Sequence, residues 1–172
     1  MTDEHPLHTG WIFSWQPYGA WEMNDYVIIQ SVEAFWTVFE QHLPKPSVAF
    51  RTTTNYQRPR YLHDVERIRS FCMRREAIKE LEWEDASNKG CFECNISNIT
   101  SDEIDAMWET ILLLSIGETF GENVRAVRVI DRGKGKMVDT RFEIWCGEEC
   151  KNVEKELETN IKNKTFTWKF FN

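Results

Sequence analysis

Two spacings of apolar residues run along this chain: short extended runs, and stripes that repeat every three to four positions. Trp11-Ile-Phe-Ser-Trp15 and Tyr26-Val-Ile-Ile29 read as strands, with Pro17, Gly19 and Asn24 in the turn region between them. Val32, Phe35, Trp36, Phe39 and Leu43 then recur at helical spacing. They predict a helix from about Ser31 to His42, capped by the Ser31 hydroxyl and stopped by Pro44 and Pro46. Further strands are expected at Arg67 to Arg75 and Cys91 to Ile96. A second helix opens on Thr100-Ser-Asp-Glu103, a capping-box spacing, and runs to about Ser115 before Gly117. Val124 to Ile130 and Phe142 to Trp145 predict a strand pair, Glu148 to Lys162 a third helix, and Thr165 to Phe170 a last strand.

Short links between strand pairs favour antiparallel neighbours, and helices with one apolar stripe each should cover one face of the sheet. The expected class is α+β: a curved, mostly antiparallel β-sheet with three α-helices packed on its convex face and the concave face open for a ligand. Residues 1–172 are expected to form a single domain.

Composition narrows the function. No run approaches the roughly eighteen apolar residues of a membrane span, and the N-terminal MTDEHPLHTG lacks the pattern of a secretory signal, so a cytoplasmic location is the expectation. Five cysteines, an odd number, read as free thiols. Cys91-x-x-Cys94 and Cys146-x-x-x-Cys150 are poor candidates for zinc, so no metal and no cofactor is expected. A net charge of −7 argues against non-specific coating of nucleic acid but leaves room for a small site for a phosphorylated ligand. The chain carries eight tryptophans, and stacking on flat unpaired bases is one of few functions that needs indoles specifically.

Several segments carry a family resemblance when taken in order: His5-Pro-Leu7, Trp11, Trp21, Val32-Glu-Ala-Phe-Trp36, Trp83-Glu-Asp85, Trp108, Leu112 to Phe120, and Ile144-Trp145. Together they resemble the mRNA cap-binding translation initiation factor 4E family. The resemblance implies that Trp21 and Trp83 sandwich a 7-methylguanine. Methylation at N7 makes the base cationic, so two indole faces offer stacking and a cation–π attraction. It also implies that Glu84 accepts from the guanine N–H groups, a charge-assisted pairing.

The cap triphosphate needs cations. Residues 124 to 141 hold Arg125, Arg128, Arg132, Lys134, Lys136 and Arg141 against Asp131 and Asp139, a local charge of +4. Arg141 takes the place of the family's phosphate-binding lysine. The partner arginine stays open: strict alignment puts Asp131 there, with Arg132 next to it and Arg128 as a third possibility, and Lys136 is a further candidate. A one-residue slip reverses the face a strand residue points to. The family's further phosphate contact from a C-terminal loop is expected to be missing unless Lys164 or Lys169 substitutes, and Cys91 stands where an arginine is common. The resemblance also implies a partner surface: His5, Pro6, Val32, Trp36, Glu109 and Leu113 match positions that receive a helical peptide carrying a tyrosine and a leucine–apolar pair. Thr110 stands where a glutamate is usual. Residues 51–69 form an insertion atypical of the family. From Arg51 to Arg75 seven arginines oppose Asp64 and Glu66, and two readings stay open: contact with nucleotides beyond the cap, or a solvated insertion.

The implied function is a non-enzymatic, monomeric receptor that binds the 7-methylguanosine 5′ cap of mRNA and recruits a scaffold protein for translation initiation. The alternative is a cap-binding repressor or specialised isoform that does not engage the usual scaffold. No Ser/His/Asp, Cys/His or glycine-rich phosphate-loop signature supports an enzyme.

Overall fold

A computed structural model describes residues 4–50, 58–79, 90–134, 139–147 and 151–170. Among these described residues seven strands form one sheet: β1 (Pro6–Pro17), β2 (Asn24–Ser31), β3 (Ile68–Arg75), β4 (Phe92–Ile96), β5 (Val124–Asp131), β6 (Thr140–Cys146) and β7 (Phe166–Phe170). Their order is β2-β1-β3-β5-β6-β4-β7, and every neighbouring pair is antiparallel. Among the described residues three long helices, α1 (Val32–Gln41), α3 (Ile104–Ile116) and α4 (Lys151–Asn160), connect strands and cover the convex face. Two short elements add to the expected set, α2 (Pro46–Ala49) and a 3-10 turn at Arg60–Leu62. Pro46 stops the preceding segment and also starts α2, since a first helical position needs no N–H.

Strand alternation sorts the sheet into two chemistries. Trp11, Phe13, Phe71, Met73, Val127, Val129, Phe142 and Ile144 face the helices and join one buried cluster with Phe35, Trp108, Ile111, Leu112, Val153 and Leu157. The opposite phase of the same strands supplies Ser14, Gln16, Ser70, Arg74, Arg128, Glu143 and Trp145. Ser31 caps α1 as expected, its hydroxyl accepting from Ala34 N at 3.1 Å. The capping box before α3 is half formed. Glu103 Oε2 accepts from Thr100 N at 3.0 Å, but the Thr100 hydroxyl donates to Asp102 at 2.6 Å and the helix begins only at Ile104. A turn at residues 101–103 intervenes, so Thr100 lies one turn too early to cap the helix with its side chain.

Register shifts bend the sheet where the concave face is built. Phe13 pairs with Val27 and Ser14 with Asp25, which leaves Tyr26 as the extra residue and brings Asp25 to Arg74. Gln16 pairs with Ser70 and Pro17 with Ile68, which leaves Arg69 as the extra residue of β3. Gly19, at φ 86°, closes the loop between β1 and β2 in a left-handed conformation that a side chain would strain.

Trp108 is 2% exposed and stacks on Phe142 at 6.2 Å, joining α3 to the middle of the sheet. Trp108→Ala should therefore lower the unfolding free energy by about 3–5 kcal/mol in a denaturant titration. A change below about 1 kcal/mol would show that this contact does not hold α3 in place.

Candidate functional site

The loop Tyr18–Met23 between β1 and β2 presents Trp21 at 83% exposure, far outside the range of a core indole. The Arg69 guanidinium lies 5.7 Å from its ring. Arg69 is the residue the register shift in β3 leaves over, so the bulge aims a cation at the exposed indole. Trp83 and Glu84, the other residues expected to read the base, and Lys136 lie outside the described residues.

Next to this loop the concave face carries a connected polar network. The Arg128 Nη2 donates to Gln16 Oε1 at 2.6 Å, and its Nη1 lies 3.8 Å from Glu143 Oε2. Arg141 donates to Glu143 Oε1 at 2.5 Å. Trp145 Nε1 reaches Glu143 Oε2 at 3.5 Å. The cross-strand pairs Arg128–Glu143 and Ile130–Arg141 put both arginines on one face. Two guanidiniums sharing one carboxylate keep a net positive charge, and each has five N–H donors, more than these contacts use. This is an arrangement suited to an anion.

The register of β5 places its charged residues differently from one another. Arg128 stands beside Arg141. Asp131 is fully buried and serves the β5–β6 loop instead: it accepts from Gly133 N at 2.8 Å, Asp139 N at 3.1 Å and Arg67 at 3.2 Å. Arg132 is exposed past the strand end, with its backbone N–H bonded to Asp139 O at 2.7 Å. Of the C-terminal lysines, Lys164 is tied to Glu103 at 2.7 Å and to Asn98 O at 3.0 Å. Lys169 pairs in register with Glu93 across β4 and β7.

Most of the arginines between 51 and 75 turn inward. Arg58 is 3% exposed and donates to Val65 O and Ala49 O, each at 2.6 Å. Arg67 lies over the Tyr18 ring at 4.3 Å and bonds Asp131 and Gly133. Arg74 pairs with Asp25 and Arg75 covers Trp11 at 4.1 Å. At these four positions the guanidinium is engaged by carbonyls, a carboxylate or an aromatic ring of the chain itself. Arg51 lies outside the described residues.

On the helical side, Trp36 is 41% exposed and Leu113 36%, with Pro6 and Glu109 also exposed and Val32 half-buried. Periodicity alone would have placed Trp36 in the core. His5 works as a clamp: its carbonyl accepts from Val32 N at 3.0 Å, while its backbone N–H at 2.9 Å and its Nδ1 at 2.6 Å both meet the Glu33 carboxylate. Those bonds from His5 hold the Glu33 carboxyl down at about 2. Thr110 donates to Ala106 O within its own helix at 3.0 Å. Four described cysteines, Cys72, Cys91, Cys94 and Cys146, are buried, and Cys150 lies outside the described residues.

Gln16, Ser70, Glu93 and Glu143 were not singled out from the sequence. A usable signal existed: each is a polar residue in the solvent-side phase of a strand whose other phase is apolar. Glu93 is 4% exposed on β4; burial first, and then the Glu143 carboxylate, push its carboxyl up to about 7 from an ordinary 4.5. The folded state therefore holds this proton more tightly than the unfolded chain. The contribution is fully present below about pH 4.5 and is lost as pH rises through 7. Glu93→Gln should flatten the fall in unfolding free energy measured between these two values. Parallel wild-type and variant curves would show that Glu93 does not titrate in this way.

No protein-family model matches the chain. It is 24% identical over 166 residues to eukaryotic translation initiation factor 4E1 of Drosophila melanogaster, covering 92% of this chain and 56% of that protein. It is 27% identical to factor 4E-1 of Schizosaccharomyces pombe and 28% identical to factor 4E of Candida glabrata, spanning 68% of each. These alignments cover 94% and 92% of this chain. The chain thus spans little more than half of the fly protein's length and about two thirds of the fungal ones. Among solved structures, Ascaris suum eIF4E-3 in complex with an m2,2,7G cap matches with a TM-score of 0.73 at 15% identity, over 98% of this chain and 92% of that one. A schistosome eIF4E complexed with m7GpppA and 4E-BP matches with a TM-score of 0.70 at 14% identity, over 96% and 88%. Three sequence relatives of one kind align along more than nine-tenths of this chain, and the seven-stranded sheet with its three helices is the fold of those structures, so the chain is similar in sequence to eukaryotic translation initiation factor 4E proteins and shares their fold.

Proposed function

We propose that this chain binds the 7-methylguanosine cap of mRNA on its concave face and recruits a scaffold protein through its helical face, acting in translation initiation in the cytoplasm. The observation that carries the reading is the exposed Trp21 indole beside the arginine pair around Glu143. Stacking on one aromatic is worth roughly 1–3 kcal/mol per base. A cationic base adds a cation–π attraction that guanine lacks. Trp21 supplies one face of the sandwich, and Trp83 with Glu84 the second face and the guanine-edge acceptor. Arg141 and Arg128 bind the phosphates, together with Lys136 and with Arg132, which is exposed past the end of β5. Support comes from the relatives, which are named as initiation factors, and from the fold neighbours, which are described with cap ligands and with 4E-BP.

Pro6, Val32, Trp36, Glu109 and Leu113 form the partner surface, for a helical peptide with a tyrosine and a leucine–apolar pair. His5 acts one step back, by holding the segment that carries Pro6 against the start of α1. One observation favours the repressor or specialised-isoform reading: Thr110 spends its hydroxyl on its own helix where the family usually offers a glutamate.

In a tryptophan-fluorescence titration, 7-methyl-GTP should quench strongly and GTP weakly; equal responses would overturn the sandwich. Trp21→Ala and Trp83→Ala should each weaken 7-methyl-GTP binding by about one to two orders of magnitude. Trp36→Ala should abolish binding of a scaffold-type helical peptide and leave 7-methyl-GTP affinity within about twofold, since it removes an interface anchor remote from the concave face. Loss of both activities together would separate Trp36 from the partner surface.

A further inference from the structure

Gln16 ends the polar phase of β1 and uses every hydrogen-bonding capacity of its amide. Nε2 donates to Ala20 O at 2.9 Å and to Trp21 O at 3.0 Å. Oε1 accepts from the Ser70 hydroxyl at 3.0 Å and from Arg128 Nη2 at 2.6 Å. The residue is 3% exposed. A reversed amide would aim its oxygen at two carbonyls and its NH2 at a guanidinium, so the four partners permit one orientation.

The loop has few other ties. Among the described residues, its remaining backbone bonds run from Tyr18 N to Arg67 O at 2.9 Å and from Ala20 N to Pro17 O at a long 3.5 Å, and neither reaches Trp21. The indole itself is mostly in solvent, with Arg69 beside it. The place of Trp21 is therefore set from below, through its carbonyl, by a buried amide whose other end holds Arg128.

We propose that Gln16 is a positioning residue that ties the Trp21 loop to Arg128, so that the base platform and a phosphate-side arginine are held as one unit. The proposal rests on the reading of Trp21 and Arg128 as cap-binding groups. Gln16 touches no ligand; it orders the loop before the ligand arrives and so lowers the ordering cost of binding. Its consequence is unusual for a phosphate-binding arginine. Arg128 should matter even to a ligand that has no phosphate.

The test is fluorescence titration with 7-methylguanosine, the nucleoside, and with 7-methyl-GTP. Gln16→Glu keeps an acceptor for Ser70 and Arg128 but faces both loop carbonyls with a carboxylate, and it should weaken nucleoside binding by about tenfold. Arg128→Met should weaken it by about threefold, besides its larger effect on the triphosphate. Arg60→Met, which removes the same charge from an exposed position, should leave nucleoside binding unchanged. Should Gln16→Glu not fold, Ser70→Ala removes one bond from the same amide and should cost about two- to threefold. Nucleoside binding that the Gln16, Ser70 and Arg128 variants all leave intact would overturn the coupling alone. Equal loss in Arg60→Met would reduce it to general loosening and overturn it too. A wild-type protein that binds 7-methylguanosine no better than guanosine would instead overturn the cap reading and this proposal with it.

Discussion

A sheet with charges on its concave face is stable only if those charges find partners there, and Glu143 is the group on which that condition turns. It is 3% exposed, it joins Arg128 to Arg141, and it receives the Trp145 indole N–H. Removing one partner of a buried ion pair leaves an uncompensated charge, typically at a cost of about 3–5 kcal/mol. The same condition explains why Glu93, buried close by with Glu143 as a like charge, holds its proton up to about 7. The face is kept cationic enough for an anion and neutral enough to fold.

From that network the site extends outward by hydrogen bonds. Arg128 leads to Gln16, Gln16 to Ser70 and to the loop that carries Trp21. A second knot stands beside it: Arg67, held by Asp131 and Gly133, lies over Tyr18 in the same loop. Arginines that sequence composition would assign to nucleic acid thus spend their donors on backbone carbonyls and carboxylates. Charge count measures how many cations a segment has, whereas only their partners show how many remain for a ligand.

The helical face follows a different rule. The convex side is dry because α1, α3 and α4 share one apolar cluster with alternate strand residues. Trp36 and Leu113 are large apolar residues that this cluster does not take in. Exposed aromatics of this kind are the residue type that anchors partners in protein interfaces.

Much of this was legible in the order of residues. Local periodicity determined the strands, the helices and the cap at Ser31, because each depends on neighbours within a few positions. The exposed context of Trp21 was also legible, from the proline and glycine before it. Tertiary structure alone decided which arginine on β5 joins Arg141, since a strand residue's face depends on register and the register shifts at Arg125. It also decided that Asp131 anchors a loop, that Arg58, Arg67, Arg74 and Arg75 are structural, and that Gln16 stands between the loop and Arg128. Those assignments come from pairings across as many as 112 positions of chain, and no local pattern encodes which distant group will meet a given polar side chain.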